Sequence, residues 1–203
     1  MTYGLRTLLV IAAAVLVTPA AYGAPIVYTA ALSGAAEEPP NDSPGTGSAT
    51  VVFDPDAQTL SVDVDFSGLV GTTTAAHIHC CTENPFEGNV GVATQVPIFI
   101  GFPTGVTSGS YFRVFDLTDP GSWNPTFITN NGGTPATAAS ALGLGLESGR
   151  AYLNVHSTFR TAGEIRGFLV ARVPEPGTLA LIAVAMAAAF AVRRRPLRGS
   201  FPR

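Results

Sequence analysis

The chain has no lysine. Its eleven basic residues are all arginine, and six of them stand at the ends: Arg6, then Arg193, Arg194, Arg195, Arg198 and Arg203. Between Ala24 and Val173, thirteen acids against five arginines leave a net charge of −8. A nucleic-acid partner needs a basic face to neutralise phosphates, so this balance argues against one. An acidic surface favours solubility and cation binding instead. The long helix formers Lys, Glu and Gln are scarce, while Gly, Thr, Ser, Val and Phe are plentiful. That composition predicts an all-β domain with many turns. Catalytic patterns are missing too. There is no Ser-His-Asp order, no phosphate loop and no close pair of catalytic carboxylates, so no enzyme is expected.

Histidine is rare, with three in 203 residues, and there are only two cysteines. Four of these five residues are contiguous or nearly so, in Ala76-His77-Ile78-His79-Cys80-Cys81. The third histidine lies in Tyr152-Leu153-Asn154-Val155-His156-Ser157. In an extended strand, residues i and i+2 share a face. His77 and His79 then point one way and Ile78 the other. Tyr152, Asn154 and His156 share a face, opposite Leu153 and Val155. If the two strands are neighbours, all three imidazoles meet. Such a face suits copper or zinc, for which imidazole is a good ligand. The competing reading is a polar cluster in which Asn154, Glu164 and the histidines satisfy one another's hydrogen bonds.

Adjacent Cα atoms lie about 3.8 Å apart, below the usual disulfide range. Cys80 and Cys81 are therefore not expected to form a conventional staple. The alternatives are a vicinal ring, an intermolecular bridge, or thiolate ligands and a redox pair beside the histidines. Glu164 and Arg166 fall on one strand face and are expected to pair structurally with each other or with a neighbour.

Taken in order, residues 1–24 read as a secretory signal peptide. Arg6 supplies the positive start, Leu8 to Val17 the apolar run, and Ala21 and Gly23 a small-residue cleavage site. Residues 25–172 form the domain. Strands are predicted over Ile26–Leu32, Ser48–Phe53, Thr59–Phe66, Ala75–His79, Val96–Phe102, Ser110–Leu117, Arg150–His156 and Glu164–Arg172, with one short helix from Pro135 to Leu146. In Thr59–Phe66 the alternation of Leu60, Val62, Val64 and Phe66 with Ser61, Asp63 and Asp65 marks a half-buried antiparallel strand. The expected architecture is an antiparallel, Greek-key-like β-sandwich or barrel. An N-terminal signal helix and a C-terminal hydrophobic helix are expected to flank it.

Residues 173–203 differ in character. Pro174, Glu175 and Pro176 precede the uncharged run Leu179–Val192 and then Arg193-Arg194-Arg195. Arginines after an apolar run orient it with its end in the cytoplasm. As a helix the run is about 21 Å long. This order of parts closely resembles the PEP-CTERM sorting signal. The resemblance implies recognition by an exosortase-type processing enzyme and transient anchoring in the inner membrane. It further implies delivery to the cell surface or beyond, among extracellular polysaccharide or surface proteins.

The core carries a second resemblance. Leu32-Ser33-Gly34, Glu38-Pro39-Pro40, Gly45-Thr46-Gly47-Ser48-Ala49, the two histidine segments and Gly163-Glu164-Ile165-Arg166-Gly167 follow the order of the CHRD (chordin-type) domain. That resemblance implies an extracellular β-sandwich and names no reaction. The Cys80-Cys81 pair departs from the commoner pattern, in which a glycine often follows the second histidine. His-x-His with a distant strand histidine also resembles the copper site of copper/zinc superoxide dismutase. No aspartate stands near enough in sequence for that enzyme's bridging arrangement, so dismutase activity is not expected.

Overall fold

The structure is a computed structural model and describes residues 24–172. The expected signal helix, the Pro174-Glu175-Pro176 motif and the hydrophobic helix lie outside the described residues. In chain order the elements are β1 (Ile26–Ser33), β2 (Thr46–Asp54), β3 (Thr59–Ser67), β4 (Thr73–Cys80), β5 (Gly109–Asp116), α1 (Pro125–Asn130), α2 (Pro135–Glu147), β6 (Ala151–Ser157), β7 (Ile165–Phe168) and β8 (Val170–Ala171). The domain is all-β and antiparallel as predicted. The eight strands form one sheet, in the order β4-β6-β7-β1-β2-β3-β5 with β8 beside β1, curled into a half-barrel.

Period-2 alternation sets the inside of the curl. On β3, Leu60, Val62, Val64 and Phe66 are buried and Asp63 and Asp65 exposed. In the register β3 shares with β2, Val51 stands opposite Val62, and Ala49 opposite Val64. Ile78 on β4 and Leu153 and Val155 on β6 continue this apolar face, all fully buried. The core-facing sides of β4 and β6 are therefore the ones opposite their histidines.

Helix α2 packs beside the sheet end. Pro135 opens it after an N-cap at Thr134, whose hydroxyl exchanges bonds with Thr137 in a capping box. Ala138, Leu142, Gly145 and Leu146 form its buried stripe. The shorter α1 went unpredicted, although Asn124 before Pro125 is a start signal: Asn124 caps the Thr126 N–H.

Two predicted strands differ. Val96–Phe102 is a series of turns, because Pro97 lacks an N–H for a ladder. Its Phe99 and Phe102 instead drop into the core. Glu164–Arg172 is broken. β7 pairs with β6, Leu169 donates to the Ala151 carbonyl at 3.0 Å, and β8 then runs along β1.

Candidate metal centre

β4 and β6 are hydrogen-bonded neighbours. His77 stands opposite Asn154, His79 opposite Tyr152, and Ala75 opposite His156. One register thus lays His77, His79, Tyr152, Asn154 and His156 on a single face, as the strand pattern predicts. One ring nitrogen from each histidine lies within 4.8 Å of one from each of the others. The face is covered: His77 and His79 are buried and His156 is half-buried. The long β4–β5 connection closes over it from one side and the β6–β7 connection from the other.

Those connections supply one carbonyl per imidazole. His77 Nε2 lies 2.7 Å from the Pro97 oxygen, His79 Nδ1 2.8 Å from that of Val90, and His156 Nδ1 2.9 Å from that of Thr161. A carbonyl only accepts, so His77 Nε2 and His156 Nδ1 carry their ring protons, while His79 has an acceptor at each nitrogen. The remaining nitrogens of His77 and His156 are then bare lone pairs. His77 Nδ1 faces His156 Nε2 at 3.2 Å, and His79 Nε2 faces Asn154 Oδ1 at 3.1 Å. Asn154 is held in that orientation by its Nδ2–H, which donates to the Ala162 carbonyl. The first contact sets acceptor against acceptor, and at His79 one ring proton serves two acceptors, the Val90 carbonyl and Asn154 Oδ1.

Burial keeps the cluster neutral. Burial drives the pKa of His77 down to about 4, against a partial lift from the Pro97 carbonyl. Burial likewise brings His79 down to about 4, and it lowers His156. The His77 and His156 nitrogens are already near the separation of about 3.3 Å expected for two ligands bound at ~2.0 Å. A ring nitrogen of His79 lies within 4.8 Å of both other rings' nitrogens.

The other residues singled out from the sequence take different places. His79 stacks on Tyr152 with centroids 4.8 Å apart, and the Arg166 guanidinium lies 4.8 Å over the same ring. Arg166 bonds the Ala36 and Gly88 carbonyls, Asn89 and Glu38, and stands 3.9 Å from Glu37. It does not pair with Glu164. Glu164 joins neither Arg166 nor the histidines, because its carboxylate is claimed by four donors elsewhere. These are the Ser43 hydroxyl and Val70 N–H, each at 2.6 Å, the Gly71 N–H at 3.1 Å, and the Ser157 hydroxyl.

Cys80 and Cys81 are bonded to each other as a vicinal disulfide. That leaves no thiolate for the histidine cluster. Alternation also sends Cys80 to the face opposite His79, where Gly145 of α2 lies against both sulfurs. A residue that sequence reading missed is Glu37. It is buried, and its Oε1 is the one buried side-chain polar atom without a hydrogen-bond partner among the described residues. Nothing local in Ala36-Glu37-Glu38 signals this, since two acids beside prolines read as an exposed loop.

The fold and site together define an antiparallel half-barrel domain with a covered three-imidazole cluster at one edge pair of strands. The chain belongs to the CHRD domain family, whose model matches residues 28–169. The PEP-CTERM protein-sorting motif matches residues 172–195 and marks the protein as exported, exosortase-targeted and destined for the cell surface. Neither is an enzyme family. No curated protein and no solved structure matches the chain. Among the described residues no helix is long and apolar enough to cross a membrane.

Proposed function

We propose that this exported domain is a surface-held binding module that takes up one copper or zinc ion between His77, His79 and His156. The observation that supports the reading is the spent proton: His77 and His156 each donate to a backbone carbonyl and set their other nitrogens 3.2 Å apart, with a His79 nitrogen within 4.8 Å. Such outer carbonyls fix tautomer and ring orientation in metal sites and raise ligand basicity. An all-nitrogen, uncharged donor set suits copper or zinc over calcium or magnesium, which take oxygen. The role is binding rather than catalysis. During export Leu179–Val192 holds the chain in the inner membrane until the exosortase acts. Extracellular polysaccharide or surface proteins are the partners available at its destination.

The test is metal analysis of protein secreted in copper- or zinc-supplemented medium. About one ion per chain is expected, lost in both His77→Ala and His156→Ala. Metal-free protein under both conditions, with the variants merely less stable, would make the cluster a structural hydrogen-bond network.

A further inference from the structure

A cavity of about 660 Å³ opens between the end of β4, α1 and α2, and both Cys80 and Cys81 line it. That volume lies within the ~300–1,000 Å³ of small-molecule sites. Cys80 is 3 % exposed, whereas Cys81 is half-buried. The residue of α2 that stands against both sulfurs is Gly145, which also lines the cavity and has no side chain to cover them. The disulfide thus forms part of the cavity wall, and Cys81 is its more accessible half.

This bond does little for the fold. A link between neighbours closes almost no loop, so it removes almost no entropy from the unfolded chain. Nor does the metal reading use it, because alternation turns Cys80 away from the histidine face. The characteristic reaction of an accessible disulfide is exchange with a thiolate. Charge narrows the thiol. Arg150 is the one charged residue among the described residues that line the cavity. Its Nε donates to the Thr82 carbonyl, which anchors the guanidinium beside the cysteine pair. It forms no ion pair among the described residues. A positive group held there attracts an anionic thiol and opposes a cationic one.

We propose that the cavity admits a small anionic thiol, which opens the Cys80–Cys81 bond by thiol–disulfide exchange. The incoming thiolate attacks Cys81 Sγ. A bond forms between these two sulfurs and the Cys80–Cys81 bond breaks. Cys80 Sγ leaves with the electron pair and takes a proton from water. A second thiolate then attacks the sulfur of the bound small thiol, freeing Cys81 as a thiolate that is protonated in turn. Two small thiols are thereby oxidised to their disulfide, and the cysteine pair gains two electrons. The site is independent of the metal reading, since it shares no side chain with the three imidazoles.

The experiment is exchange kinetics on the full chain in detergent, stripped of metal, with 2-mercaptoethanesulfonate and cysteamine as anionic and cationic probes. Acid quenching and mass spectrometry read the mixed disulfide and the reduced pair, with rates compared at equal thiolate concentration. The folded protein is expected to react without unfolding. The sulfonate should react about threefold faster than cysteamine or more, a preference lost in the urea-unfolded chain. Arg150→Gln should remove the preference, and Arg150→Lys should retain it. Asn130→Trp, at an exposed position of the cavity lining, should slow exchange in the folded protein and leave the unfolded chain unchanged. The proposal is overturned if the pair reacts only after global unfolding, or if both probes react equally fast with the folded protein. It is equally overturned if Asn130→Trp leaves the folded rate, or Arg150→Gln the preference, as in the parent.

Discussion

His77 Nδ1 stands 3.2 Å from His156 Nε2, and both rings have already given their protons to backbone carbonyls. Two acceptors at that distance repel unless something positive lies between them. In the proposed reading a metal ion takes that place. The cluster also sets how the domain should respond to acid.

Burial lowers His77 and His79 to about 4 from an ordinary value of 6.5. The unfolded chain therefore takes up protons at these sites below pH 6.5, while the folded chain resists until about pH 4. Stability contributed by the neutral rings is present above the ordinary value and lost as pH falls through this window. Metal-free protein should lose thermal stability progressively across it, and bound metal should shield against the loss until the rings protonate. Melting curves with and without zinc check this, and a flat profile would contradict it.

Glu37 should act in the opposite sense. Burial lifts its carboxyl to about 7, a push that outweighs the pull of Arg166. The folded state holds the proton where the unfolded state has released it. This contribution is thus full below the ordinary value of 4.5 and lost as pH rises through about 7. Glu37→Gln should therefore gain stability over the parent at pH 8 and show no such gain at pH 4. Chemical denaturation at the two pH values measures the crossover.

Glu164→Gln should be severe. Burial alone would raise the Glu164 pKa, but hydroxyls of Ser157 and Ser43 and the N–H groups of Val70 and Gly71 hold it below its ordinary value. An amide places a donor where the carboxylate had only acceptors, and at least one of four donors then lacks a partner. A loss of about 2–4 kcal/mol is expected. Because the pKa is lowered, the parent's advantage should be present above the ordinary carboxylate value and fade in acid. A variant as stable as the parent at pH 7 would show that the cluster contributes little.

Gly145→Ala decides between two opposing effects. Alanine favours a helix interior by up to about 1 kcal/mol. A Cβ at 145, however, would run into the Sγ atoms of both Cys80 and Cys81. Overpacking of that kind costs about 1–3 kcal/mol, so net destabilisation is expected. In a Cys80→Ala, Cys81→Ala background the sulfurs are gone and the same substitution should become neutral or favourable. The double variant should itself keep the fold, since a link between neighbours closes almost no loop. A thermal-melt cycle over the four proteins reads the coupling.

The sequence by itself determined which residues share a face. Strand alternation is local and has a fixed period, so His77 with His79, and Tyr152 with Asn154 and His156, followed directly from spacing. The inward row Leu60, Val62, Val64 and Phe66 followed the same way. The sequence could also say that adjacent cysteines would not staple the fold, because the distance between neighbouring Cα atoms is covalent geometry. Tertiary structure decided what lies against those faces. The carbonyls of Val90 and Pro97 come from a connection that spacing alone misread in part as a strand, and that of Thr161 from a turn after β6. Glu164 looked like a partner for Arg166 or the histidines. It went to Ser43, Val70, Gly71 and Ser157 because chain segments up to 121 residues away converge on it. Glu37 became a buried carboxyl with an unpartnered oxygen because distant segments, those of Arg166 and Gly163 among them, close around it. Hydrogen-bond partners are chosen by packing between distant segments, and no local periodicity carries that information.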